Sequence, residues 1–358
     1  MPELPEVERA VQQIRRIGLN KVIDRVETTQ DDIVYSGITH IEFANEISRR
    51  RIVGVKRYGK SFFLELDGTG RFPVLHFGMT GMLQVKGEKA MYYEETPRNA
   101  STDWPPRFMK FILHLQDGST PETSTEIAFM DARRLGRIRL RDSPATEPPI
   151  SALGFDPILC MPALDVFEPL VKKRSCPIKA LLLDQSFSAG VGNWVADEIL
   201  YHARVHPEQR CNTLSPAQIG ELHRCTKFVC ETAVSVDADD TKFPEDWLFK
   251  HRWAKGKKTK AQPLKLPSGQ PATIRWVTVG GRTSAYVVEL QHLRGSSSKV
   301  PAPLDTQNPT GSSSSNLSES DLPTLTDSES EMKASPKKRR KVATESRRSQ
   351  SRRKRISN

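Results

Sequence analysis

Large apolar side chains are scarce in this chain of 358 residues: hydrophobic residues make up 37% and aromatic residues 7%. That is little for one continuous globule of such length, so part of the chain is expected to stay unfolded. No run approaches the roughly 18 apolar residues that cross a bilayer, and no apolar leader core opens the chain, which points to an intracellular protein that spans no membrane. The five cysteines (Cys160, Cys176, Cys211, Cys225, Cys230) are odd in number and include no Cys-x-x-Cys pair. Neither a disulfide framework nor a cysteine zinc knuckle is written here, and reduced structural thiols are expected. Acidic charge is in deficit as well, 43 Asp and Glu against 54 Lys and Arg, and the net charge of +11 suits a polyanionic partner such as nucleic acid.

From Gly295 to the end there is no aromatic residue and no cysteine, but 16 serines and charges sorted into blocks. This reads as a disordered tail. Acids cluster between Glu319 and Glu331, whereas PKKRRKV at 336–342 and RRKR at 352–355 are basic. Charge blocks often only solvate a tail, but PKKRRKV resembles a monopartite nuclear localisation signal. A nuclear address, an import receptor as partner and added non-specific affinity for DNA phosphates are therefore expected.

Ahead of the tail, PELPEVERAVQQIRRIG spaces Leu4, Val7, Val11, Ile14 and Ile17 as one stripe of an amphipathic helix, with Pro5 suited to its first position and Glu6 complementing its dipole. Removal of Met1 would expose the secondary amine of Pro2, a nucleophile of unusually low pKa flanked by Glu3 and Glu6. From about Val22 to Leu140 the chain turns to short alternating runs (KVIDRVETT, SRRRIVGVKRYGKSFFLEL, RFPVLHFG, FMKFILHL, TEIAFMDARRLGRIRL), which predict an antiparallel β-sandwich or barrel. Tyr92 to Pro106 reads as a loop. From Ser151 the pattern is helical, with helices near Ala163–Lys173, Pro177–Gln185, over WVADEILYHARV and over PAQIGELHRCTKFVCETAVSV. A strand pair turning at Gly280 and Gly281 closes the folded part, preceded by the basic stretch KHRWAKGKKTK.

PELPEVE, HFGMTG (76–81), DARRLG (131–136), GVGNWVADEILYHARVHP (190–207) and GGRTSAYV (280–287) occur in this order. Together they resemble the formamidopyrimidine-DNA glycosylase and endonuclease VIII family of base-excision repair enzymes, over roughly residues 2–294. The resemblance implies an α+β fold. An N-terminal helix and antiparallel β-sandwich (1–150) would precede a helix-two-turns-helix domain (151–250), a finger hairpin (251–294) and the tail (295–358), with duplex DNA in the cleft. It implies a bifunctional glycosylase and abasic-site lyase acting as a monomer on DNA with an oxidised base or an abasic site.

The catalytic candidates it implies are Pro2 as nucleophile, Glu3 as general acid, Glu6 as supporting carboxylate and Lys60 on a phosphate beside the lesion. His76, Asn193 and Arg282 match phosphate contacts, and Met79, Arg133 and Leu135 match side chains that fill the gap left by an everted base. Arg134 is expected on a phosphate. Plain readings stay open: Lys60 as a solvated strand-end lysine, Asn193 as a helix cap, Met79 as core. In zinc-bearing relatives the finger runs on to Cys-x-x-Cys, whereas Val287 and Leu290 stand here, so no metal or other cofactor is expected and the chain resembles the zincless-finger branch of plants and fungi. Packing of Trp276, Val279, Tyr286 and Val288 would replace the metal. His202 and His206 lack a third ligand nearby and read as no metal pair. The competing function is a catalytically silent nuclear binder of damaged or bent DNA, which the PELPEVE start argues against, and an RNA-binding β-domain is weaker for want of an RNP-type aromatic motif.

Overall fold

The computed structural model describes residues 2–88, 103–117, 125–254 and 263–293, all within a unit spanning Met1–Ser298. The expected tail, the loop residues 92–102 and most of the basic stretch lie outside the described residues.

Helix α1 (Leu4–Gly18) precedes strand β1 (Val22–Thr28), helix α2 (His40–Ile47), and strands β2 (Ile52–Tyr58), β3 (Ser61–Leu66), β4 (Phe72–His76), β5 (Met82–Val85), β6 (Met109–Gln116), β7 (Thr125–Met130) and β8 (Arg137–Arg141). The strands form two four-stranded sheets, ordered β1-β6-β7-β5 and β2-β3-β4-β8, with every pairing antiparallel. Phe62, Leu64, Leu75 and Ile138 of one sheet meet Phe111, Leu113, Ile127 and Phe129 of the other in a shared core. This is the expected sandwich. Two elements escape the sequence reading. Helix α2 has only Phe43 and Ile47 buried, too short a stripe to stand out from its surroundings, although Thr39 caps it through the Glu42 amide at 3.0 Å. Strand β5 is four residues long and buried throughout, so it shows no alternation.

The second half is helical: α3 (Leu164–Lys172), α4 (Ile178–Leu183), α5 (Asn193–His202) and α6 (Pro216–Ser235), followed by strands β9 (Ile274–Val279) and β10 (Arg282–Val287). Helix α1 joins the two halves. Its stripe divides, with Val7, Ala10, Val11 and Ile14 in the sandwich core and Leu4 in the helical core beside Val191 and Trp194. A buried ion pair reinforces the junction: Arg57 of β2 holds Asp156, and donates to Glu8 of α1 at 2.7 Å. The Asp156 carboxylate also accepts the Gly59 amide at 2.9 Å. Breaking such a pair costs about 3–5 kcal/mol, because the surviving charge stays buried.

Candidate active site and nucleic-acid interface

The start of α1 is inserted against the start of α5. The helix opens at Leu4 with Glu3 as its cap, so Pro5 takes the second helical position and not the first. The Glu3 amide donates to the Glu6 carboxylate at 2.9 Å, half of a capping box written with two glutamates. Glu3 turns its own carboxylate outward to another helix and accepts the backbone N–H groups of Trp194 at 3.0 Å and Val195 at 3.2 Å. It thereby does for α5 what a capping side chain would do. The residue at the cap position of α5 is Gly192. A Cβ there would lie 2.3 Å from the Glu3 carboxyl carbon, so the glycine makes room for the acid.

Glu6 is buried beneath Glu3 and accepts the Trp194 indole N–H at 3.0 Å. Burial, and then the charge of Glu3, push its carboxyl up to about 7 against the bonds it accepts. Pro2 is buried at the same place. The turn bearing Lys60 closes over the pair, because Gly59 packs against the Gly190 backbone, where a Cβ would meet Leu4 at 2.8 Å. Lys60 donates to the Val191 carbonyl at 3.2 Å. Burial lowers its pKa while Glu3 and Glu6 raise it, so it is not the solvated strand-end lysine of the plain reading.

His76, at the end of β4, accepts the Gly78 amide on Nδ1 at 3.0 Å. Burial, with Lys60, Arg139 and Arg137 nearby, lowers its pKa to about 4, so the ring is neutral near pH 7, and with Nδ1 accepting, the proton sits on Nε2. Asn193 is the first helical residue of α5 and not its cap; its Nδ2 donates to the Thr283 carbonyl at 3.0 Å. Arg282 is exposed at the start of β10, and its charge acts on Lys60. Lys60, His76, Asn193 and Arg282 are thus brought to one place around Glu3 and Glu6.

Met79, Arg133 and Leu135 come from two adjoining loops. Gly78, at φ +63°, lies so close to the second loop that a Cβ would stand 2.4 Å from the Leu135 carbonyl. Met79 is half-buried and belongs to no core cluster, Arg133 is exposed, and Leu135 is 39% exposed. One buried residue ties the loops together. Asp131 accepts the Thr80 hydroxyl at 3.0 Å from the first, and the amides of Arg133 at 3.2 Å and Gly136 at 2.6 Å from its own. The sequence reading quoted Asp131 within DARRLG and gave it no role. Arg134, expected on a phosphate, instead commits its guanidinium to Asp31 at 3.0 Å, beside Lys110 at 2.8 Å. Those two partners hold the Asp31 carboxyl well below the usual range against the burial that would raise it. Arg134 works as a loop anchor, and its φ of 57° fixes the bend at its own residue.

The hairpin is held by a charge cluster that the sequence reading did not foresee. Asp197 of α5 is fully buried, pairs with Lys179 of α4, accepts Arg252 at 2.7 Å and receives the Ala285 amide of β10 at 3.2 Å. Lys179 also donates to the Asn193 carbonyl at 2.8 Å, and the Arg252 carbonyl accepts the Trp276 indole at 3.0 Å. Val287 and Leu290, where the resemblance would set a Cys-x-x-Cys pair, join Tyr201, Leu248, Leu264 and Ala285 in an apolar cluster. Trp276 packs on that cluster, whereas Tyr286 stacks edge-on against His206 at 4.5 Å. His202 packs on Trp247 and Phe228 and lies 3.1 Å from Glu198. Among the described residues no group of three His, Cys, Asp or Glu side chains could hold a metal ion.

Residues 1–138 match the model of the formamidopyrimidine-DNA glycosylase N-terminal domain, and residues 153–245 match that of the formamidopyrimidine-DNA glycosylase H2TH domain. A formamidopyrimidine-DNA glycosylase of Arabidopsis thaliana is 40% identical over 302 residues, covering 84% of this chain and 74% of the relative. One from Listeria monocytogenes is 32% identical over 238 residues, covering 66% of this chain and 79% of the relative. Among solved structures, the Lactococcus lactis formamidopyrimidine-DNA glycosylase bound to DNA with an abasic site superposes with a TM-score of 0.61 at 21% identity. The match covers 81% of this chain and 99% of that one. At that identity the likeness concerns the fold, while the family models and the relatives carry descent. The chain belongs to the formamidopyrimidine-DNA glycosylase family.

Proposed function

We propose that the protein is a bifunctional DNA glycosylase and abasic-site lyase of base-excision repair, acting through the amine of Pro2 once Met1 is removed. The observation that carries this reading is the seating of residues 2–6. Pro2 is buried beside a carboxylate held on two backbone N–H groups, a second carboxyl titrating near 7, and a desolvated lysine. Attack of the neutral Pro2 nitrogen on C1′ breaks the glycosidic bond, and the base leaves with its electron pair and takes up the proton that the nitrogen sheds. Glu3 protonates the sugar ring oxygen, the ring opens, and an iminium links Pro2 to C1′. The iminium acidifies the C2′ proton. Its removal expels the 3′ phosphate (β-elimination), and a second elimination expels the 5′ phosphate.

Glu6, half protonated near pH 7, is suited to pass protons to and from Glu3. Lys60, neutral His76, Asn193 and Arg282 donate to the phosphates flanking the lesion, the lysine as a point charge and the arginine as a fork. Met79, Arg133 and Leu135 enter the space vacated by the everted nucleotide, offsetting part of an unstacking cost of a few kcal/mol. The test is borohydride trapping on an abasic-site duplex. We expect an adduct through Pro2 that Pro2→Gly strongly weakens, and an adduct mapping mainly to a lysine would overturn the assignment.

Formamidopyrimidines and hydantoins are proposed as the preferred substrates, ahead of 8-oxoguanine, with oxidised pyrimidines between or below. Within VSVDADDTKFPEDWLFKHRW (234–253), which connects the last long helix to the basic stretch, there is little chain to form a lid over the base: Phe243, Trp247, Leu248 and Phe249 are buried, and the amides of Leu248 and Phe249 donate to Glu198 at 3.0 and 2.8 Å. Selection then rests on how readily a lesion leaves the stack. Single-turnover rates on matched duplexes decide it, and equal rates for 8-oxoguanine and a hydantoin would refute it. The zincless finger and monomeric action belong to the same proposal, as does nuclear import through PKKRRKV. Import is tested by deleting residues 333–358 from a bulky fusion, which should lose nuclear accumulation.

A further inference from the structure

Strand β8 carries a row of cations on the face turned away from the sandwich core. Ile138 and Leu140 are buried in that core, so Arg137, Arg139 and Arg141 alternate onto the opposite face. Register sets their neighbours: His76 pairs with Arg137, Val74 with Arg139 and Phe72 with Arg141, and Ser61 lies beyond His76. The row therefore starts at the phosphate-binding histidine and runs away from it.

The three arginines differ in what holds them. Arg137 donates to the Gly136 carbonyl at 2.6 Å. Arg141 donates to the Pro148 carbonyl at 2.7 Å and lies 3.9 Å from Glu147. Arg139 is half-buried, and among the described residues it has neither a hydrogen-bond partner nor an acidic one. Burial and the like charges of Arg141 and Arg137 depress its pKa, and its charge reaches His76. A guanidinium does not shed its proton in a protein. An unpaired, partly desolvated arginine among like charges destabilises the free protein, and an anion over the row removes that cost.

We propose that Arg139 is a phosphodiester-binding residue that holds a second phosphate of the DNA strand, next along from the one held by His76 and Lys60. Alternate residues of a strand rise by about 6.6 Å, so Arg137 and Arg139 are spaced for successive phosphates of one nucleic-acid strand and not for a single small anion. The contact reads no base and serves damaged and undamaged duplex alike. This rests on the proposed function and deepens it by extending the footprint beyond the lesion.

The experiment measures binding of the full-length protein across a salt series, to a duplex with a tetrahydrofuran abasic analogue and to an undamaged duplex. Arg139→Met keeps the aliphatic packing and removes the charge. It should weaken both complexes about three- to tenfold and make the slope of log K against log salt shallower by about one. Its Tm should equal or exceed the wild-type value, because a repulsion is lost. Arg139→Lys should restore the slope. A wild-type slope in Arg139→Met overturns the inference while leaving the function standing. A wild-type protein without salt-dependent DNA binding overturns both.

Discussion

Replacing Gly192 with alanine tests the seat of Glu3 with a single methyl group. The backbone of Gly192 sits at φ −125°, ψ −157°, which alanine adopts without strain, so the effect is steric. The new Cβ would fall 2.3 Å from Cδ, 2.5 Å from Oε1 and 2.6 Å from Oε2 of Glu3. Carbon atoms in contact settle near 3.5 Å, so the carboxylate must retreat by about 1 Å. It cannot do so and keep the Trp194 and Val195 amides, each a charge-assisted bond of about 1.5–3 kcal/mol at most. A misplacement of that size at a reacting group costs about 100-fold in rate. We expect single-turnover incision of an abasic-site duplex to fall by about that factor while the protein remains folded. Gly220, in α6, is the control: its added Cβ would meet nothing within 4 Å, so Gly220→Ala should leave incision unchanged and add up to about 1 kcal/mol of stability. Glu3→Asp, combined with Gly192→Ala, should recover part of the lost rate, since the shorter acid vacates the space. Incision by Gly192→Ala within about threefold of wild type would refute the reasoning, because the acid would then work from somewhere other than the start of α5.

Three further outcomes follow from the geometry. The Glu6 carboxyl is raised from 4.5 to about 7, so the folded state binds more protons than the unfolded chain between those values. The stability this contributes is complete below about pH 4.5 and is lost as pH rises through 7, about 3 kcal/mol in all; Glu6→Gln, which cannot titrate, should remove that slope from denaturation midpoints taken between pH 5 and 8, and an unchanged slope would sink the assignment. Asp197→Ala should lower stability by about 3–5 kcal/mol in chemical denaturation, because Lys179 and Arg252 stay buried without their counter-charge, and a loss under about 1 kcal/mol would show that the cluster does not hold the hairpin. Asp131→Asn loosens the loops of Met79 and Leu135, and should slow excision from duplex about tenfold while sparing borohydride trapping on single-stranded abasic DNA, where no gap in a stack needs filling; equal losses on both substrates would contradict that role.

What could be read in the sequence divides along a physical line. The sandwich strands, the four helices after Ser151 and the Gly280–Gly281 hairpin were legible because each writes its own period or turn chemistry into neighbouring residues. Helix α2 and strand β5 were not, since two buried residues or four make no period. At the site the same division holds. The side chains that the proposed function puts to work (Pro2, Glu3, Glu6, Lys60, His76) lie in stretches that the family resemblance picks out, and the structure gathers them at one place. Those that only hold such groups in place could not be named in advance, because their partners are remote in the chain: Asp197 reaches Arg252 and Ala285, Arg134 reaches Asp31, and the Gly192 that admits Glu3 lies 189 residues away from it. Arg134 shows what the sequence leaves out. An exposed arginine in DARRLG reads as a phosphate ligand until the acid that pairs with it is seen, and Arg139 becomes of interest for the opposite reason, that no such acid is found beside it among the described residues. Pairing, more than position or residue type, is what the proposal for Arg139 rests on.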